Sequence, residues 1–464
     1  LGPHPVLLGL GSLCLPYENK VWLPSLRRGA GDVQTVSESL ARLYVLGAAL
    51  DWKQVHAGIR TRTVPLPPYP FQQGRYWLQA VRQEPAQRAS SSAELVYELG
   101  WEPKVSEPAY TSLAAQGAWL VFADAGGLGG QVVQELEAGH HACVQVRQGE
   151  AFGRAGRDRF ELPPDDAGAL QALWDQVCDS HGTIEGVLFC WGLDAPEAAR
   201  LSSGGLETAA ADLLAPVLRL VQHMDRAERE GGSGLWLVTR GASGAGGANP
   251  AAAAIQSLLW GFGRGISLEH PEIWSGLIDL DPGLDCTAAA GQIAAQVLAP
   301  DPEDQMHFAP EGRLVPRLQP VAELPGAAFQ ADARGVYLFT GGLGALGRQT
   351  AVWLVNKGAR RLVLTSRGGE ASPQARELVQ LLQDKGARVE VRAADAADKD
   401  QAEALMLDLL AREEPLKGIF HLAGRDEPRE LSGLQPEDIR RVTAPKVQGA
   451  WHLHRLSAEA PLDC

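Results

Sequence analysis

Val336-Tyr337-Leu338-Phe339-Thr340-Gly341-Gly342-Leu343-Gly344-Ala345-Leu346-Gly347 is the stretch whose reading decides the fold. It begins as an apolar strand, enters a glycine-rich turn and continues with helical apolar spacing. Glycines so spaced tighten the turn, admit a pyrophosphate close to the main chain and let the helix pack on the strand, leaving the helix N-terminus to hold phosphate. Thr340, Gly341, Gly342, Leu343, Gly344, Leu346 and Gly347 are the candidate cofactor contacts. The pattern is weak alone, and its surroundings give it meaning.

Downstream, a helix is expected over Arg348–Lys357 with Gly358 as its stop. Arg361–Thr365 reads as the second strand, ending in Ser366-Arg367. An acid at this strand end takes the ribose hydroxyls of NAD, whereas arginine favours the extra phosphate of NADP. Residues 365–368 hold no acid, so Ser366 and Arg367 point to NADPH. Ser372-Pro373 is expected to cap the next helix, with Gly386 as its stop. A third strand, Val389–Val391, leads to Asp395-Ala396 at its end, while Asp398 and Gln401 have capping-box spacing, so Asp398 only starts a helix. Strand four, Ile419–Leu422, ends in Ala423-Gly424, small residues that let backbone approach a ligand.

The opening stretch has an imperfect upstream copy. Trp119-Leu120-Val121-Phe122 leads into Gly126-Gly127-Leu128-Gly129-Gly130 and a helix over Gln131–Leu136. Read glycine on glycine, Val132 takes the place of the third glycine, and Asp124 sets a negative charge beside the phosphate position. Ile184-Glu185-Gly186-Val187-Leu188-Phe189-Cys190-Trp191-Gly192 then matches Leu416-Lys417-Gly418-Ile419-Phe420-His421-Leu422-Ala423-Gly424. Two matched stretches in order indicate a duplication. Gly129 to Gly192 is 63 positions against 80 from Gly344 to Gly424, so the first copy is expected to lack about 17, a strand with part of a helix. Leu235–Thr239 is its next strand, and the small-residue stretch Ala242–Ala254 after it holds no tyrosine. The fold expected is α/β, with two tandem Rossmann-like subdomains, the second truncated, after an extended linker region.

Composition sets limits. The 464 residues carry a formal charge of -14, which argues against a nucleic-acid partner. No apolar run is long enough to span a membrane, and Leu1–Leu10 lacks signal-peptide features. The six cysteines lie far apart without a C-x-x-C pair, which fits a reduced, cytoplasmic compartment, and neither cysteines nor histidines have metal spacing. The proline-aromatic run Val64–Trp77 is expected to lie extended over a surface, with Tyr69, Phe71, Tyr76 and Trp77 as anchors, after a short amphipathic helix at Val36–Leu46.

These stretches together resemble a type I modular polyketide synthase. Gly2–Leu7 resembles the closing strand of its acyltransferase, and Pro68-Tyr69-Pro70-Phe71-Gln72 with Arg75-Tyr76-Trp77 resembles the linker that follows. The first copy, with Tyr97–Trp101, Trp260-Gly261 and Ile278–Asp281, resembles the non-catalytic structural subdomain of the ketoreductase. The second resembles the short-chain-dehydrogenase-like catalytic subdomain. Asp395 matches the aspartate that contacts adenine, and Ala423-Gly424 the turn beside the nicotinamide ribose. Pro445-Lys446-Val447-Gln448-Gly449-Ala450-Trp451 resembles the helix carrying the catalytic lysine, which implies that Lys446 holds the ribose and lowers a tyrosine's pKa. Arg425-Asp426-Glu427-Pro428 stands where a Leu-Asp-Asp signature commonly follows, which argues against the reductase type that carries it.

The domains implied are the acyltransferase end and linker at 1–82, a hinge at 83–95, the structural subdomain at 96–330 with a seam at Arg317–Arg334, and the incomplete NADPH-binding part at 331–464. The resemblance implies reduction of a β-ketoacyl chain carried on the phosphopantetheine of an acyl carrier protein, with ketosynthase and acyltransferase neighbours in a homodimeric synthase. No tyrosine follows Tyr337. Gly192 to Leu235 spans 43 positions, which would set the next strand of the second copy just beyond Cys464. The catalytic Ser and Tyr are therefore expected beyond Cys464, and the isolated fragment is expected to be inactive. The alternative is a non-catalytic scaffold that organises neighbouring domains.

Overall fold

The computed structural model describes residues 5–14, 21–58, 96–105, 117–227, 234–245, 253–321, 329–369, 373–425 and 428–464. The chain divides into two compact units, Leu1–Gln87 and Arg88–Cys464. In the first unit, helices α1 (Val6–Cys14), α2 (Asp32–Val45) and α3 (Trp52–Val55) carry few buried side chains. The strand expected at Gly2–Leu7 is corrected, because Val6 and Leu7 open α1. A strand needs a neighbour for its N–H and C=O groups, whereas a helix pairs them internally. The expected helix at Val36–Leu46 starts earlier, at Asp32. The linker run Val64–Trp77 lies outside the described residues.

The second unit holds both copies. The first comprises β1 (Tyr97–Pro103), β2 (Gly117–Phe122), α4 (Leu128–Ala138), β3 (Ala142–Gln148), β4 (Gly153–Gly156), β5 (Arg159–Leu162), α5 (Ala167–His181), β6 (Thr183–Phe189), α6 (Ser203–Arg226), β7 (Gly234–Arg240), α7 (Ser257–Glu269), β8 (Trp274–Leu280), α8 (Cys286–Leu298), β9 (Gln305–Ala309) and β10 (Gly312–Pro320). Its strands order as β1-β10-β9-β8-β7-β6-β2-β3-β5-β4. The seven from β9 to β5 are mutually parallel; β4 adds antiparallel at one flank, and at the other β10 adds antiparallel to β9 and β1 antiparallel to β10. Their apolar runs reflect burial on both faces. Leu120 and Phe122 face a core shared with α5, α6 and α7, and Trp119 and Val121 one shared with α4 and α8.

The second copy comprises β11 (Val336–Thr340), α9 (Ala345–Asn356), β12 (Arg361–Ser366), α10 (Pro373–Asp384), β13 (Arg388–Ala393), α11 (Lys399–Leu410), β14 (Leu416–His421), α12 (Pro436–Thr443) and α13 (Gly449–Leu456), with a π turn at Ala444–Gln448. Its parallel sheet runs β13-β12-β11-β14. Tyr337 and Phe339 pack against α9 and α10, Val336 and Leu338 against α11 and α13. The two tandem Rossmann-like subdomains expected are present. Helix α6 meets α12 and the π turn, and Leu431 and Ile439 join the first copy's core. Gln222 Nε2 donates to the carbonyls of Leu431 and Leu434 at 2.9 and 2.8 Å. Gln448 Nε2 donates to Glu207 at 2.7 Å.

The structure corrects the register of the repeat. The Leu422 N–H donates to Thr340 O, and the Cys190 N–H to Phe122 O, both at 2.9 Å. Both copies also slip register at the same place, between Val336 and Tyr337 and between Ala118 and Trp119. Thr340 therefore matches Phe122, and Gly129, not Val132, occupies the third-glycine position. Ala123 and Asp124 replace Gly341 and Gly342. Counted again, Gly126 to Gly192 is 66 positions against 80, a shortfall of 14. No strand is lost either, since β5 pairs in parallel with β3. What is missing is the counterpart of α10, replaced by a hairpin through β4. The seam begins later than Arg317, because β10 runs to Pro320 and pairs along all of β1.

Candidate functional site

The turn after β11 is built for close approach. Gly341 has φ +67, and a Cβ there would lie 2.6 Å from Leu422 O and 2.7 Å from Ala423 N. A side chain would thus wedge the turn off β14. At Gly347 a Cβ would collide with the main chain of Gly342, so the first turn of α9 sits directly on the loop. Among the described residues, no side chain accepts from the N–H groups of Gly341–Gly347, the one side-chain bond there being from the Thr350 hydroxyl to the Leu346 carbonyl, so the α9 N-terminus could take an anion.

The same geometry in the first copy is filled by its own acids. Asp124 is buried and accepts from the N–H groups of Gly129 at 2.6 Å and Leu128 at 3.2 Å. Asp194 accepts from Ala125 at 2.9 Å. Burial, and then the Asp124 charge, raise the Asp194 carboxyl against the N–H bonds that lower it. Two carboxylates thus satisfy the N–H groups of this turn, and among the described residues no side chain does so in the second copy.

A cleft of about 390 Å³ lies along the C-terminal strand ends of the second copy. Of the expected residues, Thr340, Gly341, Gly344, Ser366, Arg367, Asp395, Ala396, Ala423 and Gly424 line it. Gly342 and Gly347 are buried behind the turn, and Leu343 and Leu346 lie off the cleft, Leu346 facing solvent. Lys446, in the π turn, is exposed, and its Cε lies 3.6 Å from where a Cβ on Gly424 would be, at the edge of the cleft. Asp398 caps α11 through Gln401 N at 3.1 Å, but the reciprocal bond goes from Asp395 N to Gln401 Oε1 at 2.9 Å, which ties the cleft loop to α11. Ser372 lies outside the described residues.

Arg425 and Arg441 also line the cleft, and neither belongs to the expected set. Arg425 directly follows the small-residue turn, a spacing that could have revealed it. Arg441 reaches the cleft only because α12 packs on α6, which the sequence does not display. His421 was missed as well. Burial holds its imidazole below the ordinary range, and it contacts Thr340 and Pro445. Elsewhere Asp225, His270 and Glu272 come within reach of one cation, but both acids already address the same His270 Nδ1, at 3.3 and 3.4 Å. Among the described residues, no helix is long and apolar enough to cross a membrane.

Comparisons with known proteins converge. A model described as KR domain matches residues 335–464, and one described as polyketide synthase extender module SpnB, Rossmann fold domain, matches residues 102–318. Pikromycin polyketide synthase component PikAIII of Streptomyces venezuelae is 32% identical over 463 residues, covering 99% of this chain and 26% of that protein. Against polyketide synthase GfsA of Streptomyces halstedii the identity is also 32%, over 97% of this chain and 6% of that protein. The chain thus spans about a quarter or less of these relatives. Among solved structures, A-type ketoreductases from a modular polyketide synthase match at 32% identity and TM-score 0.64, over 80% of this chain and 74% of that one. An A1-type ketoreductase matches at 31% and 0.63, over 80% and 73%. A duplicated Rossmann architecture with one open phosphate turn, matched along most of a solved ketoreductase, places the chain in the ketoreductase family of modular polyketide synthases.

Proposed function

We propose that the second copy binds NADPH and serves the reduction of a β-ketoacyl chain, held on the phosphopantetheine of an acyl carrier protein, to the β-hydroxyacyl form. The observation that carries this reading is the contrast between the open turn at Gly341–Gly347 and its carboxylate-filled twin. The α9 N-terminus receives the pyrophosphate, Arg367 the 2′-phosphate, and Asp395 with Ala396 the adenine. Ala423 and Gly424 admit the nicotinamide ribose, and Lys446 reaches it from the π turn. NADPH supplies the hydride. The alkoxide so formed needs a proton, and no tyrosine follows Tyr337 to give it. The 464 residues alone are therefore expected to bind the cofactor without reducing a ketone.

The domain reading goes with this assignment: 1–82 as acyltransferase end and linker, 83–95 as hinge, 96–330 as structural subdomain and 331–464 as cofactor-binding part. Ketosynthase and acyltransferase neighbours and a homodimeric synthase are the partners proposed.

Fluorescence titration tests the assignment. The chain should bind NADPH well ahead of NADH, and Arg367→Glu should weaken NADPH by at least about 30-fold, near 2 kcal/mol, the cost of losing a hydrogen-bonded charge partner. Equal affinity for the two nucleotides, or an indifferent variant, would remove the role of Arg367. Turnover of a model ketone by these residues would refute the proton-donor argument.

A further inference from the structure

His421, the last residue of β14, is bound on both ring nitrogens. Nε2 lies 2.7 Å from the carbonyl oxygen of Pro445, and Nδ1 lies 2.6 Å from Thr340 Oγ1. A carbonyl can only accept, so Nε2 carries the proton. In the neutral ring Nδ1 is then the acceptor, and the Thr340 hydroxyl donates to it. Thr340 is buried at the end of β11, where the glycine turn starts.

Pro445 lies in the π turn, one residue before Lys446. There the Gly449 N–H, which in an α-helix would reach Pro445 O, goes instead to Ala444 O. The diverted bond opens the Pro445 carbonyl to the imidazole. Gly449 keeps the approach close, since a Cβ there would lie 3.1 Å from His421 Cε1. One ring thus connects the strand that enters the phosphate turn to the backbone that carries Lys446.

The first copy supplies the control. Its residues at the positions of Thr340 and His421 are Phe122 and Phe189, with ring centroids 5.9 Å apart and no polar group to share. Its long helix α6 carries no lysine anywhere along Ser203–Arg226. The polar tie and the lysine are present together in one copy and absent together from the other.

We infer that His421 is a positioning residue: through its Nε2–H tautomer it fixes the Pro445 carbonyl, and so the height of Lys446 over the cleft, relative to Thr340 and the glycine turn. The inference deepens the proposed cofactor site and rests on the ribose-binding role of Lys446, but its geometry can be tested without cofactor.

Nitrogen-15 NMR of the full chain without nucleotide should find His421 as the Nε2–H tautomer, with that proton slow to exchange. An Nδ1–H tautomer, or a freely exchanging ring, overturns the inference whether or not NADPH binds. With NADPH, His421→Phe, which copies the first subdomain, should weaken binding about tenfold. His421→Gln, which keeps an amide donor for Pro445, should recover most of it. In a double-mutant cycle, His421→Phe with Lys446→Ala should bind no more weakly than Lys446→Ala alone. Additive losses, or no loss with His421→Phe, would leave His421 without a role through Lys446. Absence of NADPH binding by the unaltered chain would instead remove the cofactor reading, and the tautomer measurement would still decide the geometry.

Discussion

The two glycine turns share one backbone design and part at the side chains that fill it. After β2, the acids of Asp124 and Asp194 occupy the N–H groups at the head of α4. After β11, Gly342 stands in the place of Asp124, and among the described residues no side chain accepts from the N–H groups at the head of α9. A helix N-terminus has to be satisfied by something. The difference teaches that a turn of this design can be satisfied by anions from its own chain. The same copy is the one that lacks a counterpart of α10.

The strongest way to break the comparison is to put the same substitution in both turns. Gly347→Val and Gly129→Val each push a side chain into the loop below, against Gly342 and against Ala123. Each should cost about 1–3 kcal/mol in urea unfolding through overpacking. Only Gly347→Val should also abolish NADPH binding, and equal losses would mean the first turn is not idle. Next comes Asp124→Gly, which leaves the N–H groups of Leu128 and Gly129 unpaired at a buried site. Urea midpoints should register a loss of about 1–3 kcal/mol. Calorimetry should still count one NADPH per chain, because Asp194 remains in the turn; a second equivalent would show that Asp124 alone closes the site.

The smallest expected effect concerns the sheet edge that only the first copy has. Glu303 is held down to about 2 by hydrogen bonding to Arg317, then by Lys104, against burial. A carboxyl with a lowered folded pKa contributes stability above its ordinary value of 4.5, and that contribution is lost as pH falls from there toward 2. Glu303→Gln should remove about 1 kcal/mol at pH 7 and flatten the acid limb of the stability profile. An unchanged acid limb would show that the clasp on β1 and β10 adds nothing.

Much of the second copy was legible because residues whose chemistry has few uses stand at its strand ends, an arginine without an acid at 367 and small residues at 423–424, while the lysine at 446 sits in a motif-like run that folds as the π turn. The first copy misled where its spacing mimicked a motif. Gly126-Gly127-Leu128-Gly129 resembles Gly341-Gly342-Leu343-Gly344 letter for letter, yet sheet pairing sets it three residues off. Only hydrogen bonds such as Cys190 to Phe122 decide that register. The four residues of β5 were too few to carry a visible period, so a missing helix read as a missing strand. His421 and Arg441 were hidden for another reason. Their partners lie across the fold, and no local pattern announces a side chain whose purpose is set by what packs against it.

The packing of α6 on α12 and the π turn has one more consequence. These segments occupy equivalent places in the two copies, so like meets like, as across the two-fold axis of a homodimer. Here both sides belong to one polypeptide. An association that would otherwise weaken on dilution is made permanent by covalent continuity. The gene thereby gains freedom to alter one side of the pair, as at Asp124, without altering the other, which no true homodimer can do.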